Sequence, residues 1–331
     1  MRLTVLASGS KGNSSVLSSG RTRILVDAGL SCRELTRRMA AAGEDPATLD
    51  AVVLTHEHID HVAGLAVLAR RYNLPVYFTE ATHRAWVRMV RPRTTMTYTR
   101  WLEQLQQQKA ARAEAVAGQG GEVAALAAVA IPEEPARATP AVPDDSDGAP
   151  DDPATALPQQ ADPAYLPAVE YFRPGAGFSI GDIEIMPFTI PHDAADPCGF
   201  VFQAEGVRVG FATDLGYVPQ NVKAALRGLD LLLLESNHDL EMLRDGPYPW
   251  SVKQRVLSRV GHLSNDATAE FLREDYDGSA ACIILAHLSE SNNEPELALH
   301  AAEQALSRHP KLLGNRVQIA RQAEPLPTIA L

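Results

Sequence analysis

Residues 51–61 read AVVLTHEHIDH, an apolar run that ends in three histidines and two acidic residues within six positions. The β-branched and apolar residues 51–54 predict a buried strand. The polar cluster follows at the point where this strand leaves the sheet, and α/β proteins place their chemistry at strand ends. Neutral imidazole and carboxylate groups bind zinc and similar divalent ions. The segment therefore predicts a metal site that includes four side chains: His56, His58, Asp60 and His61.

A different metal motif is excluded by the same residues. The helical metalloprotease motif His-Glu-x-x-His begins correctly at His56 and Glu57 but requires a second histidine at position 60. That position holds Asp60. A lone histidine on a surface is usually just solvated, whereas four metal-binding side chains within six positions are typical of a metal site.

Size and composition indicate a globular protein. The chain has 331 residues, of which 45% are hydrophobic, enough for a substantial core. The first residues do not resemble a signal peptide, and no apolar run approaches the roughly 20 residues of a membrane helix. We therefore expect a cytoplasmic protein with no membrane partner. The three cysteines, Cys32, Cys198 and Cys282, form no Cys-x-x-Cys pair and are expected to be buried thiols.

The composition changes after residue 103. Residues 104–109 are rich in Gln, 110–130 are mostly Ala and Gly, and 131–168 are rich in Pro, Asp and Ala. Such sequence cannot bury enough apolar surface to offset the entropy lost on ordering. We therefore predict a single metallo-hydrolase domain formed by residues 1–103 and 169–331, interrupted by a disordered insertion at 104–168.

The charge is also uneven along the chain. The net charge is −11, which by itself argues against a nucleic-acid partner. Residues 131–165, however, hold eight acidic residues and one base, so most of the excess lies within the predicted insertion. The total charge therefore does not describe the face around the metal site.

Outside the insertion, strands and helices alternate, which indicates an α/β class. Two β-rich halves on either side of the insertion predict a sandwich of two sheets. Helical spacing predicts helices at 32–42, 63–72, 81–90, 251–260, 265–273 and 294–307. Apolar runs and turn residues predict strands at 3–7, 23–29, 51–54, 74–78, 169–172, 199–204, 207–212, 229–234 and 281–285, with two more within 178–188.

Further polar residues follow other predicted strands. His192, Asp214 and His287 each come after a strand, Glu235 ends a run of four leucines, and His262 precedes a helix. One histidine after a strand carries little information. Several at successive strand ends are hard to explain as ordinary core residues, and they predict one shared site.

The His-x-His-x-Asp-His segment resembles the signature of the metallo-β-lactamase superfamily. The resemblance implies an αββα sandwich of two mixed β-sheets flanked by helices, and two divalent metal ions, zinc or manganese. It assigns four ligands to each metal, and one of these ligands binds both metals. Those of metal one are His56, His58, His192 and Asp214, and those of metal two are Asp60, His61, His287 and Asp214. Asp27 resembles a structural aspartate of the family that lies behind the ligands.

Within the superfamily, the chain most resembles the YycJ-type (WalJ-like) exonuclease group, on the ribonuclease Z-like phosphodiesterase side. Residues 8–14, 55–61, 235–239 and 261–265 carry this resemblance. It implies that His262 and Glu235 form a pair that transfers a proton, and that Asp60 serves catalysis as well as metal binding.

Substrate contacts are expected from two polar segments, which provide Ser10, Asn13, Ser14, Asn237 and His238. The loop at 8–15 reads either as a hairpin connection or as a backbone cradle for an anionic group. Two roles stay open for His238: a substrate contact, or a place behind the metal ligands.

The predicted function is a metal-dependent phosphodiesterase that acts on nucleic acid, DNA in preference to RNA, and in particular a 5′-3′ DNA exonuclease. In this hypothesis two metals generate a hydroxide at neutral pH that attacks phosphorus. Two alternatives stay open: a hydrolase of small thioesters, lactones or cyclic nucleotides, and a non-catalytic, metal-dependent DNA-binding factor. The sequence leaves the physiological metal and the oligomeric state undetermined.

Overall fold

The structure is a computed structural model that describes residues 1–91, 162–307 and 316–331. These residues belong to a compact unit comprising Met1–Arg91 and Asp162–Leu331. Residues 104–161 of the predicted insertion lie outside the described residues. Its last seven residues are packed into the unit, because Ala164 and Leu166 join the apolar cluster beneath the first sheet. The second half of the unit therefore begins at Asp162, seven residues before the predicted 169.

The described residues form two sheets of seven strands each. In chain order the strands are β1 (Arg2–Ala7), β2 (Ser14–Ser18), β3 (Arg23–Val26), β4 (Ala51–Val53), β5 (Pro75–Phe78), β6 (Ala168–Tyr171), β7 (Phe178–Ile180), β8 (Ile183–Thr189), β9 (Cys198–Ala204), β10 (Val207–Ala212), β11 (Leu231–Glu235), β12 (Cys282–Ala286), β13 (Arg316–Ile319) and β14 (Ile329–Ala330). The first sheet has the order β14-β1-β2-β3-β4-β5-β6, and the second has the order β13-β12-β11-β10-β9-β8-β7.

Helices cover the outer faces of the sheets. In chain order they are α1 (Cys32–Ala41), α2 (Ile59–Val62), α3 (Leu65–Tyr72), α4 (Glu80–Val90), α5 (Gln220–Ala225), α6 (Leu240–Asp245), α7 (Trp250–Val256), α8 (Asn265–Glu274) and α9 (Pro295–Ser307), with a short 3-10 turn at Pro46–Thr48. Across the described ranges, none of these helices combines the length and the apolar character that crossing a bilayer demands.

Three apolar clusters define four layers. The central cluster joins the facing sides of the two sheets and includes Val5 and Ile24 from the first and Phe200 and Ile284 from the second. A second cluster lies between the first sheet and helices that include α1 and α3, and a third lies between the second sheet and helices that include α8 and α9. The predicted αββα sandwich of two mixed sheets is confirmed.

The strand directions determine where the site forms. β3, β4 and β5 run parallel in the first sheet, and β10, β11 and β12 run parallel in the second. The carboxyl ends of parallel strands meet at one edge of a sheet, which is where open α/β sheets bind their ligands. Polar residues that follow these strands are therefore brought together by backbone pairing.

Some predicted boundaries differ from the structure. The predicted helix at 63–72 begins at Leu65, and the short α2 precedes it, because the Gly64 N–H donates to the Ala28 carbonyl instead of continuing a helix. The predicted helix at 251–260 ends at Val256. There the chain turns back, and the His262 N–H donates to the Val256 carbonyl. The short elements β2, β13, β14, α5 and α6 were not predicted, because each presents too few apolar positions to show a period.

The central cluster predicts which side chains carry the stability of the sandwich. Phe200 is fully buried between the sheets, where its ring lies 5.5 Å from Phe172 and 5.6 Å from Phe202, centroid to centroid. Phe200→Ala should lower the free energy of unfolding by about 3–5 kcal/mol, the usual cost of removing a buried phenyl ring. Urea unfolding of the chelated protein measures this change. Met186→Ala, at a 47% exposed position on β8, is the control and should change stability by less than about 1 kcal/mol.

Candidate metal centre

The predicted ligands lie together at the shared strand edge. The His56–His61 segment follows β4, Asp214 follows β10, and His287 follows β12. His192 follows β8, which is antiparallel to β9 and therefore runs in the direction of β10. Residues scattered from position 56 to position 287 thus meet in one cluster.

Three histidines form the first group, which corresponds to the predicted set for metal one. Nitrogen atoms of His56, His58 and His192 lie within 4.8 Å of one another. Nε2 of His192 lies 3.2 Å from Nδ1 of His58, and its Nδ1 is 3.1 Å from the Gly261 carbonyl oxygen. The Gly261 carbonyl therefore orients His192, as backbone carbonyls commonly orient metal-binding histidines.

Asp60, His61 and His287 form the second group, which corresponds to the predicted set for metal two. Asp214 lies between the two groups. Its Oδ1 is 3.3 Å from Nε2 of His287 and 3.8 Å from Nε2 of His192, and its Oδ2 is 3.5 Å from Nε2 of His61. One carboxylate therefore contacts histidines of both groups.

Asp27 positions the first motif from behind. Its carboxylate accepts hydrogen bonds from the Thr55 N–H at 2.9 Å and the Thr55 hydroxyl at 2.9 Å, and it lies 2.8 Å from Nδ1 of His61. Nε2 of His61 therefore faces the cluster. This agrees with the predicted structural place of Asp27 behind the ligands.

Backbone conformation at the site is unusual. Asp27, Asp214 and His287 have φ values of 59°, 62° and 57°, in the left-handed region that favours glycine. Non-glycine residues in this region concentrate at functional sites, where the surrounding structure holds them. The backbone at Gly29 also packs closely against that of Asp60, since a Cβ at position 29 would lie 1.7 Å from the Asp60 carbonyl oxygen.

The cluster fits divalent cations. Among the described residues, Nε2 of His56 and Oδ2 of Asp214 are buried and have no hydrogen-bond partner. Buried polar atoms normally have partners, and an imidazole nitrogen beside a carboxylate oxygen suits a zinc-like cation. The donor set of five imidazoles and two carboxylates therefore matches the zinc or manganese ions expected from the sequence.

Buried charge shifts the pKa values within the cluster. Burial and the nearby His61 keep the pKa of His56 well below its ordinary value. For His287, burial opposes protonation, but the charges of Asp214 and Asp60 outweigh it and raise the pKa to about 9. The histidines in turn hold the pKa of Asp214 well below its ordinary value despite its burial. Without metal ions, protons on some histidines balance the carboxylates.

Glu235 and His262 are in contact beside the cluster. Nδ1 of His262 lies 2.6 Å from Oε1 of Glu235, whose other oxygen accepts the Leu215 N–H at 2.6 Å. Glu235 is fully buried at the end of β11, whereas the side chain of His262 is 20% exposed and lines the cleft. The carboxylate therefore fixes the ring and leaves its other nitrogen towards the cleft.

The predicted substrate residues fall into two sets. Ser10 is exposed and lines the cleft. Asn13 is buried, and its amide donates to Oδ2 of Asp60 at 3.2 Å and to the Gly9 carbonyl at 3.0 Å. Asn237 is buried, and its amide donates to the His287 carbonyl at 2.8 Å. Asn13 and Asn237 therefore orient predicted metal ligands rather than face the cleft.

Ser14 and His238 do not lie where a substrate can reach them. Ser14 is 2% exposed within β2, and its hydroxyl donates to the Asp27 carbonyl at 2.8 Å. His238 is 1% exposed, and burial lowers its pKa to about 4. Pairing within β2 turns Ser14 away from the cleft, so its expected substrate contact is corrected. Of the two roles left open for His238, its burial disfavours the substrate contact.

The cleft above the cluster has a volume of about 190 Å³. It is lined by Ser10, His58, Asp60, Asp193, Asp214, Val252, Arg255, Val256, Gly261, His262 and His287. Two of these polar residues, Asp193 and Arg255, were not predicted as site residues. Asp193 directly follows His192 and could have been noticed, whereas nothing in the sequence around Arg255 distinguishes it from a solvated helix residue.

The raised pKa of His287 predicts how the metal-free protein responds to pH. Since its pKa of about 9 in the folded chain exceeds the ordinary 6.5, its proton stabilises the fold fully below pH 6.5. This stabilisation is lost as the pH rises towards 9 and is at most on the order of 3 kcal/mol, at about 1.4 kcal/mol per pKa unit.

Urea unfolding of chelated protein from pH 6 to pH 9.5 measures the loss. His287→Gln should flatten the curve, and bound metal, which replaces the proton, should flatten it as well. A metal-free wild-type protein equally stable at both ends of this range would contradict the assignment.

Comparisons with known proteins show the family of this chain. A family model described as the metallo-β-lactamase superfamily matches residues 7–252. The chain is 30% identical to exodeoxyribonuclease YycJ of Bacillus anthracis over 328 residues, covering 99% of this chain and 97% of that protein. It is 31% identical to exodeoxyribonuclease WalJ of Streptococcus pneumoniae serotype 2 over 297 residues, covering 90% and 85%.

A solved structure has the same fold. The metallo-β-lactamase fold protein YhfI of Bacillus subtilis superposes with a TM-score of 0.58 at 14% identity, covering 98% of each chain. The predicted resemblance to the YycJ and WalJ group is confirmed, as is the prediction of a hydrolase with this fold. The chain belongs to the metallo-β-lactamase superfamily.

Proposed function

We propose that this protein is a metal-dependent phosphodiesterase that cleaves nucleic acid, and more narrowly a 5′-3′ DNA exonuclease. The relatives that match 90% or more of the chain are named exodeoxyribonucleases, which supports DNA as the substrate. The contact between Glu235 and His262 carries the proposal, because a proton donor beside two groups of metal ligands suits phosphodiester cleavage, in which the leaving 3′-oxygen takes up a proton.

Two divalent ions, zinc or manganese, complete the proposed site. We assign metal one to His56, His58, His192 and Asp214, and metal two to Asp60, His61, His287 and Asp214. When bound, such ions lower the pKa of water and offset the negative charge that develops on the phosphoryl oxygens. The chain itself holds these ligands through Asp27, Asn13 and Asn237, which donate to or accept from them.

His262 supplies the proton in this proposal. Its Nδ1 contacts Glu235, so Nε2 is the nitrogen that remains for the cleft. In the protonated ring, Nε2 donates its proton to the leaving 3′-oxygen, while the Glu235 carboxylate stabilises the positive charge. Glu235 stays fixed because the backbone N–H groups of Leu215 and Leu263 donate to its second oxygen.

A cytoplasmic location fits the proposed substrate. All three cysteines are buried and unpaired, as expected where thiols stay reduced. They lie in the described residues at positions 32, 198 and 282.

The proposed proton donor predicts a dependence on the leaving group. His262→Ala should lower kcat on end-labelled DNA by about 10²–10⁴-fold, the usual contribution of general acid catalysis. The loss should be much smaller on bis(p-nitrophenyl) phosphate, because p-nitrophenolate leaves without a proton. His300→Ala, an exposed histidine on α9, is the matched control and should behave like the wild type.

Asp214→Asn should abolish cleavage of both substrates while leaving the fold intact. Manganese or zinc is supplied, and RNA and a thioester are assayed beside the DNA to test the substrate class. Full activity of Asp214→Asn, or cleavage of the thioester alone, would defeat the proposal. An equal loss for His262→Ala on both phosphodiesters would remove His262 as the proton donor.

A further inference from the structure

Helix α7 contributes a cation to a cleft that is otherwise rich in carboxylates. Val252, Arg255 and Val256 line the cleft from this helix. Among the described residues that line it, Arg255 alone has a fixed positive charge, and three aspartates line it as well. Arg255 is therefore the side chain of this cleft whose fixed charge attracts a polyanionic substrate.

The Arg255 side chain is held in place by Asp193. Its Nε donates a hydrogen bond to Oδ2 of Asp193, and the Asp193 N–H donates to the Val260 carbonyl at 3.1 Å. Neither terminal nitrogen of the guanidinium has a hydrogen-bond partner within the described ranges. A guanidinium fixed at Nε with two free terminal groups is arranged to bind a phosphate through parallel hydrogen bonds.

The neighbouring cations are already engaged. Residues 250–260 contain Lys253, Arg255 and Arg259 and no acidic residue, in a chain of net charge −11. Lys253 is buried, and its Nζ donates to the Arg244 carbonyl at 2.6 Å. The Arg259 guanidinium lies over the Tyr217 ring, 4.1 Å from its centroid. Arg255 is therefore the cation of this segment whose terminal nitrogens are engaged neither by a backbone carbonyl nor by an aromatic ring in the described part of the chain.

Arg255 lies at a different depth from the metal ligands. Its side chain is 61% exposed, whereas those of His61, His287 and Asp60 are 0%, 3% and 18% exposed. A phosphate attacked at the metal centre must reach the buried ligands. A cation at the mouth of the same cleft is placed to meet the next phosphate along the strand.

We propose that Arg255, positioned by Asp193, binds the phosphate adjacent to the one that is cleaved. This inference rests on the proposed function and deepens it: the cleft selects a polynucleotide strand, with at least two successive phosphates, over small diesters that have one. The contact is the same before and during the reaction, so it lowers KM for the strand and leaves kcat nearly unaltered.

The test compares Arg255→Ala with the wild type on an oligothymidylate of eight nucleotides and on bis(p-nitrophenyl) phosphate, both with Mn²⁺. On the oligonucleotide, KM should rise at least tenfold while kcat stays within about threefold. The loss in kcat/KM should be at least tenfold smaller on the small diester. The slope of log kcat/KM against log salt concentration should become shallower by about 0.7, the contribution of one phosphate contact on a single strand.

Two further variants sharpen the result. Arg244→Ala is the matched control, since Arg244 is also an exposed arginine paired with an aspartate, Asp245, but does not line the cleft. It should retain the wild-type KM and salt slope. Arg255→Lys keeps the charge but loses the planar fork, so it should restore the salt slope while recovering KM only in part.

The outcomes separate this inference from the proposed function. If the wild type cleaves both substrates and Arg255→Ala matches Arg244→Ala, Arg255 does not bind the strand and the inference alone is lost. Equal losses on both substrates would place Arg255 at the cleaved phosphate and overturn the assignment to the adjacent one. If the wild type cleaves neither substrate, the proposed function fails, and this inference fails with it.

Discussion

Parallel pairing of β10, β11 and β12 brings three chain reversals to one edge of the second sheet, and each reversal carries one predicted site residue. Asp214, Glu235 and His287 are therefore placed by backbone hydrogen bonds before any side-chain contact forms. β3 and β4 do the same for Asp27 and the His56 motif in the first sheet. The site depends on this common edge, because neither group of candidate metal ligands comes from a single local segment of the chain.

The same edge creates an electrostatic cost. Asp214 and His61 are almost completely buried, and a buried charge is unfavourable unless it is paired. The charges of Asp214 and Asp60 raise the pKa of His287, whereas burial and the nearby His61 lower the pKa of His56. Even so, Nε2 of His56 and Oδ2 of Asp214 have no hydrogen-bond partner among the described residues. Divalent cations would satisfy both the charge and the missing contacts, so the arrangement is one that metal binding stabilises.

The sequence predicted the sheets, most helices and the residues that converge, since the His56 motif is dense and later ligands follow strong apolar strands. It failed where side-chain direction decides. Ser14 and His238 are polar and close in sequence to the site, yet pairing within β2 turns Ser14 inwards and His238 is buried. Arg255 was missed because its proposed role arises from a chain reversal at Val256 and from Asp193, 62 residues away. No periodicity reports such a contact.

Anomalous X-ray diffraction from crystals grown with zinc would show whether these residues hold two metal ions. Two anomalous peaks about 3.5–4 Å apart are expected, a spacing typical of two-metal sites. One peak should contact His56, His58 and His192, the other should contact Asp60, His61 and His287, and Asp214 should lie between them. A single peak, or peaks away from these side chains, would contradict this expectation.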